Sequence, residues 1–202
     1  MLLVRGIFYK FVTPCKTNAT MKKLKYILVF TLLISFSGVA QEIKWMSLEE
    51  AIKLQKKSPK KIIMDVYTNW CGPCKMLDKN TFHNPDVVEY INQYYYAVKF
   101  NAEGNEQINY NGKTFSNPDY KEELANRRNG IHQLTYYLKV NSYPTVVYFD
   151  EQGNLLTSIV GYMVPQQIEL YLRLFGEDKH KDMKTQEDFN NYYTAFVPQF
   201  KG

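Results

Sequence analysis

The sequence predicts an α/β chain with a central mixed β-sheet flanked by helices on both faces. Three features carry that expectation. Two short runs rich in β-branched and aromatic residues, Lys61–Thr68 ("KIIMDVYT") and residues 94–101 ("YYYAVKFN"), read as strands. Stretches with helical spacing and start signals separate them. Two later runs, 144–150 ("PTVVYFD") and 155–161 ("LLTSIVG"), flank a Gly153-containing turn and read as an antiparallel hairpin. The order β, α, β, α, β, β, α thus combines a crossover with a hairpin, which makes the sheet mixed.

Taken in order, Ser47-Leu48-Glu49-Glu50 has the form of a capping box and starts a helix to about Lys57, ended by Ser58-Pro59. Asp65 lies inside the apolar run of the strand 61–68, where it is out of place for a core strand. A helix opens at "CGPCKMLDKNTF" with Pro73 in its first turn, where a missing N–H does no harm. Asn84-Pro85 interrupts it, and Asp86 is the expected cap of "VVEYINQ". The polar stretch 103–130 is long for a connection and reads as an insertion. It carries Asn111-Gly112 between short alternating runs, a type I′ hairpin signal, and is expected to be dispensable for folding. Asn117-Pro118-Asp119 opens an expected helical stretch to about Lys139, with a break at Asn129-Gly130. "PQQIELYLRLF" places Ile168, Leu172 and Phe175 on one face and is closed by Gly176. A last helix is expected around "EDFNNYYTAF", with Phe189, Tyr192, Tyr193 and Phe196 as its apolar stripe.

Residues 1–40 stand apart. They hold Arg5, Lys10, Lys16, Lys22, Lys23 and Lys25 and no acid, so the formal charge of +5 originates there. The remainder carries 19 basic and 20 acidic residues, which removes the charge argument for a nucleic-acid partner. From Met21, a basic start leads into an apolar stretch from Tyr26 to about Phe36 and then to Gly38-Val39-Ala40. That is the pattern of an export signal cut between Ala40 and Gln41, with Met21 as the natural start. The apolar stretch is short for a membrane span of about 20 residues. The expected organisation is 1–40 as over-called N-terminus plus signal, 41–176 as the domain with the 103–130 insertion, and 177–202 as a helical extension. The expected location is periplasmic or secreted.

After such a cut only Cys71 and Cys74 remain, and three uses are open to them. A structural zinc site needs about four ligands, and His83, His132 and His180 have no short-spaced partners. The histidines read as surface or capping residues, and no metal is expected. A purely structural disulfide would close a very short loop for little chain entropy. A redox couple explains more. Cys71 at a helix start feels the positive end of the dipole, which favours an accessible thiolate nucleophile. Cys74, one turn on, faces the same side and is placed to resolve a mixed disulfide. Burial would raise the pKa of Asp65 and let it exchange a proton with Cys74.

"MDVYTNWCGPCK" resembles the thioredoxin family: a strand, an aspartate six residues before the first cysteine, then Trp70, Cys71-Gly72-Pro73-Cys74 and Lys75. The resemblance runs from about Trp45 to Gly176. "CKMLDKNTFHNPDVVEYIN" is closer to the exported branch typified by the C-terminal domain of the membrane disulfide reductase DsbD, although Gly72-Pro73 is the thioredoxin dipeptide and 103–130 is extra. The resemblance implies a thioredoxin fold with Pro144 of "SYPT" in the cis form. It implies Cys71 and Cys74 as the catalytic pair, with Asp65 and Lys99 beside them. It also implies Trp70, Gly72, Pro73, Tyr143, Pro144 and Gly161 as the substrate-binding surface. Tyr143 departs from the small aliphatic residue common before that proline.

The function expected on these grounds is an exported thiol–disulfide oxidoreductase, a monomer with no cofactor beyond the Cys71–Cys74 couple. It would reduce disulfides in other exported proteins and receive electrons from a membrane donor protein. The alternatives are a disulfide oxidase or isomerase, or a non-catalytic binding module of the same fold.

Overall fold

A computed structural model of the protein describes residues 41–202. The Met21 start, the apolar segment and the Ala40/Gln41 junction lie outside the described residues. The described strands are β1 (Trp45–Met46), β2 (Lys61–Tyr67), β3 (Tyr95–Asn101), β4 (Ile108–Tyr110), β5 (Lys113–Phe115), β6 (Thr145–Phe149) and β7 (Leu155–Val160). The helices are α1 (Leu48–Gln55), α2 (Gly72–Leu77), α3 (Pro85–Tyr94), α4 (Gln133–Tyr137), α5 (Pro165–Gly176) and α6 (Gln186–Ala195).

Five strands form one sheet in the order β1-β3-β2-β6-β7. β1 and β2 lie parallel to β3, while β6 runs antiparallel to β2 and β7 antiparallel to β6. The mixed sheet expected from the sequence is therefore present. β1 has no signal in the sequence, because two residues before an N-cap are too few to show a period.

Local chemistry explains the helix starts. Ser47 Oγ accepts the Glu50 N–H at 3.2 Å and caps α1. Asn84, and not Asp86, caps α3: Pro85 holds the preceding residue extended, and Asn84 Oδ1 accepts the N–H groups of Asp86 and Val87. Asp86 instead accepts the Lys201 N–H at 2.7 Å. The helix after the cysteines does not stay α-helical; Asp78–Phe82 form a π-type turn.

Strand alternation divides the apolar residues between the two faces. Ile63 and Tyr148 join Leu77, Phe82, Ile168 and Leu172 in one core. Ile62, Met64, Val66 and Phe149 join Phe100 and Leu134 in the other. Asp65 is in phase with Ile63, and its register partner on β3 is Lys99. Both side chains therefore belong to the face covered by α2 and α3.

The 103–130 segment corrects two expectations. Its hairpin is real: Asn111 and Gly112 adopt φ of 48° and 71°, the left-handed pair a type I′ turn requires. The segment is not an appendage, however, because Ile108, Tyr110 and Phe115 are buried in the second core and the Tyr110 hydroxyl donates to Gly153 O at 2.7 Å. Ile108→Ala is expected to cost about 3 kcal/mol. A shift in urea midpoint worth under about 1 kcal/mol would return the hairpin to the status of a surface element. The helix expected over 117–139 is also corrected, to a 3-10 turn at Glu122–Leu124 and the short α4. Side chains compete for the backbone there. Asn117 donates to the carbonyls of Gly104 and Gly130, and Asn129 bonds both the N–H and the carbonyl of Lys121. Gly130 packs so closely on Asp119 that a Cβ would stand 2.6 Å from its backbone.

The tail forms α6 as expected, but only Phe189 and Tyr192 of the stripe pack on the first core, while Tyr193 is exposed. The anchor lies further on. Phe200 is buried, and the buried Glu169 carboxylate accepts the N–H groups of Gln199 and Phe200 at 2.7 Å each.

Candidate functional site

β2 runs out at Tyr67, and Thr68–Trp70 carry the chain to Cys71 at the start of α2. Cys71 is the N-cap of that helix, with extended backbone, and its Sγ accepts the Cys74 N–H at 3.1 Å. Pro73 lies in the first helical turn and lacks only an N–H that has no partner there. Cys71 and Cys74 are joined as a disulfide with a Cα–Cα distance of 5.3 Å. Neither sulfur in this state is a free thiolate for a metal. The accessible Cys71 expected from sequence is corrected: it is 2 % exposed and Cys74 4 %, because the sulfur turns inward toward the first turn of the helix. Gly72 and Pro73 between them are exposed.

Asp65 and Cys74 line one cavity of about 360 Å³, together with Tyr67, Thr68, Asp78 and Lys99. Asp65 is 1 % exposed, and its Oδ1 has no hydrogen-bond partner among the described residues. Burial raises its pKa to about 7; the Lys99 charge pulls the other way and Asp78 adds to the rise. Lys99 Nζ is ion-paired with Asp78 and sits 5.2 Å from the Trp45 ring and 5.5 Å from the Tyr67 ring. The expected trio Asp65, Lys99 and Cys74 is thus brought to one place. Asp78 was missed, although its spacing four residues after Cys74 puts the two on one helical face.

The Tyr143–Pro144 bond is cis. Thr145 pairs with Val66 in the sheet, so the loop bearing Pro144 lies at the end of β2 from which the cysteine loop departs. Gly161, at a φ of 107° that favours glycine, donates its N–H to Pro144 O at 2.8 Å. Trp70 meets the Tyr143 ring edge-on at a centroid distance of 6.3 Å. The six residues expected to form a substrate surface therefore fall at one end of the sheet. What fixes Trp70 has no mark in its own stretch of sequence. Glu103 Oε2 accepts the indole N–H at 2.7 Å and the Asn129 N–H at 2.8 Å, and Arg128 lies 4.8 Å over the ring. The Trp70–Glu103 contact spans 33 positions and the Glu103–Asn129 contact 26, so neither leaves a local signature.

The histidines do structural work. His132 is fully buried and caps α4 by accepting the Leu134 N–H, with its other nitrogen on Glu106 O. His83 and His180 each bond a backbone carbonyl.

A disulfide at a helix start, a buried carboxylate that shares a cavity with its second cysteine and a cis-proline loop at the same end of the sheet are the parts a thiol–disulfide exchange site needs. The chain belongs to the thioredoxin-like family, whose domain model matches residues 48–176. It is 28% identical over 122 residues to the thiol:disulfide interchange protein DsbD of Pectobacterium atrosepticum, covering 59% of this chain and 17% of that protein. It is 36% identical over 118 residues to DsbD of Vibrio vulnificus, covering 57% of this chain and 16% of that protein. The match spans about a sixth of the length of these relatives. A thioredoxin-fold protein from Helicobacter pylori superposes with a TM-score of 0.54 at 20% identity, over 80% of this chain and 92% of that one, which bears on the fold. Family, fold and disulfide together support a thiol–disulfide oxidoreductase.

Proposed function

We propose that the protein is an exported reductant that cleaves disulfides in other exported proteins and is recharged by a membrane dithiol donor. In the reduced state the Cys71 thiolate attacks one substrate sulfur, and the substrate S–S bond breaks as the Cys71–substrate bond forms. Cys74 gives its proton to the Asp65 carboxylate and attacks Cys71 Sγ. The second substrate thiolate leaves, and the Cys71–Cys74 disulfide remains. Two electrons pass to the substrate, and a donor dithiol returns two to the protein. Asp65, Lys99 and Cys74 are the groups of the proton step; Trp70, Gly72, Pro73, Tyr143, Pro144 and Gly161 receive the substrate. The observation that carries this reading is the shared cavity: Asp65 and Cys74 line it, and the carboxyl there titrates near neutrality.

Export rests on the basic and apolar pattern from Met21 to Ala40. Among the described residues no helix is long and apolar enough to cross a membrane. The reducing direction rests on Gly72-Pro73, the thioredoxin dipeptide, whose active site stands at about −270 mV, while strong oxidants stand near −120 mV. No histidine stands between the cysteines to favour the thiolate further. Equilibration of the Cys71–Cys74 pair with glutathione tests the direction. A potential near about −270 mV is expected, and one above about −180 mV, the isomerase range, would replace the reductant with an oxidase or isomerase. Catalysis of insulin reduction by dithiothreitol, followed as turbidity, is expected; its absence would leave a binding module.

A further inference from the structure

A second cavity, of about 820 Å³, opens beside Trp70 and shares no lining residue with the Asp65 cavity. Its aromatic floor is Trp70 and Tyr143, and its rim carries Arg128, Lys139 and Tyr136, the last 64 % exposed. Its single carboxylate, Glu103, is buried and has Oε2 committed to the Trp70 indole and the Asn129 N–H. Both cations are exposed, and neither lies within ion-pair distance of a carboxylate among the described residues. Arg128 rests on the face of the indole, a position that fixes its plane and leaves in-plane N–H donors for a carboxylate.

The groove continues the surface at which the substrate sulfur must arrive, because Trp70 is the chain neighbour of Cys71 and Tyr143 that of cis-Pro144. Among the described residues the Tyr143 main chain makes no hydrogen bond, so its N–H and carbonyl are open to an extended segment. At about 820 Å³ the groove is large for a small disulfide and has room for a few residues of chain. We propose that it selects extended segments of partner proteins that carry an acidic side chain near the reacting cysteine. The carboxylate lies on Arg128 with Lys139 adding to the field, and a neighbouring apolar side chain lies against Tyr136 and Tyr143. Arg128 and Lys139 are then specificity-determining residues supplied by the segment that follows β3. The inference deepens the redox reading and rests on it.

Competition for Cys71 tests it. The Cys74→Ser protein is equilibrated with two short cysteine peptides, identical except for Asp or Lys beside the cysteine, in a thiol–disulfide buffer. The mixed disulfides are then counted by intact mass. The Asp peptide is expected to be captured about five-fold in excess at low salt, the scale of one exposed charge pair. The excess is expected to fall toward parity in about 0.5 M NaCl, an arm that needs no change in the groove. Arg128→Gln is expected to remove it, and Arg128→Lys to keep part of it, since charge survives while the flat stacked fork does not. The ratio is read within one protein sample, so a general loss of folded material cancels. Equal capture at low salt, or an excess that survives in Arg128→Gln, overturns the inference. Failure of both peptides to form any mixed disulfide is a different result: it overturns the redox reading and this inference with it.

Discussion

Cys71→Ser is expected to reduce disulfide-reducing activity to the uncatalysed background, while Cys74→Ser is expected to stop the protein as mixed disulfides through Cys71. A serine hydroxyl is not ionised near neutrality and cannot exchange with a disulfide, so the first loss is complete rather than partial. The geometry distinguishes the two sulfurs. Cys71 Sγ receives the Cys74 N–H at 3.1 Å at the start of α2, a contact that favours a thiolate once the disulfide is opened. Cys74 lies on the Asp65 cavity, where its proton has somewhere to go. Timed iodoacetamide labelling of the reduced protein, read by peptide mass, checks the assignment. Faster alkylation of Cys74 than of Cys71 near neutral pH would reverse the roles. The burial of both cysteines makes one further demand on a substrate: the attacked disulfide must be delivered against Trp70 and Tyr143 rather than met in open solvent.

Some of this site was legible in the sequence because its signals are local. Asp65 is conspicuous as the one acid in an apolar strand, and the cysteines are spaced by a helical turn after it. Asn111-Gly112 states its turn type directly, since both positions need positive φ. Most of the order of strands and helices follows from short apolar runs together with the cap and turn residues between them. What failed to show acts at a distance. The buried role of Ile108, Tyr110 and Phe115 depends on their meeting Phe149 and its neighbours, and three-residue strands carry too little alternation to announce it. Glu103 and Arg128 look like ordinary surface charges until folding sets one against the edge of Trp70 and the other over its face. The helix expected over 117–139 failed for a local reason that was readable: Asn117 and Asn129 are residues that bond backbone and displace helix.

Asp65→Asn is expected to make the protein more stable and a slower reductant, and pH separates the two effects. The folded protein holds the Asp65 proton up to about pH 7, whereas an unfolded chain releases it near 3.8. Between those values the native state binds more protons than the unfolded one, so wild-type stability falls as pH rises through the window. The loss is present in full above pH 7 and amounts to no more than about 4 kcal/mol, from a shift of about three units. Asparagine has no such titration. The variant is therefore expected to gain over wild type in urea midpoint at pH 8, and the gap is expected to close toward pH 4, where both side chains are neutral. Activity moves the opposite way. Only the carboxylate form accepts a proton from Cys74, so the wild-type rate is expected to rise through pH 7, and that inflection is expected to vanish in the variant. A stability difference indifferent to pH between 4 and 8 would show that Asp65 is not held neutral by burial. An inflection near 7 that persists in the Asn variant would assign the proton step to another group. Among the charged residues around this cavity, Asp78 and Lys99 face Asp65 from the helix side and from β3, and both bias the same equilibrium. The carboxyl is thus set by opposing influences: burial and Asp78 keep it protonated, and Lys99 draws it back toward the range in which it can take and return a proton at each turnover.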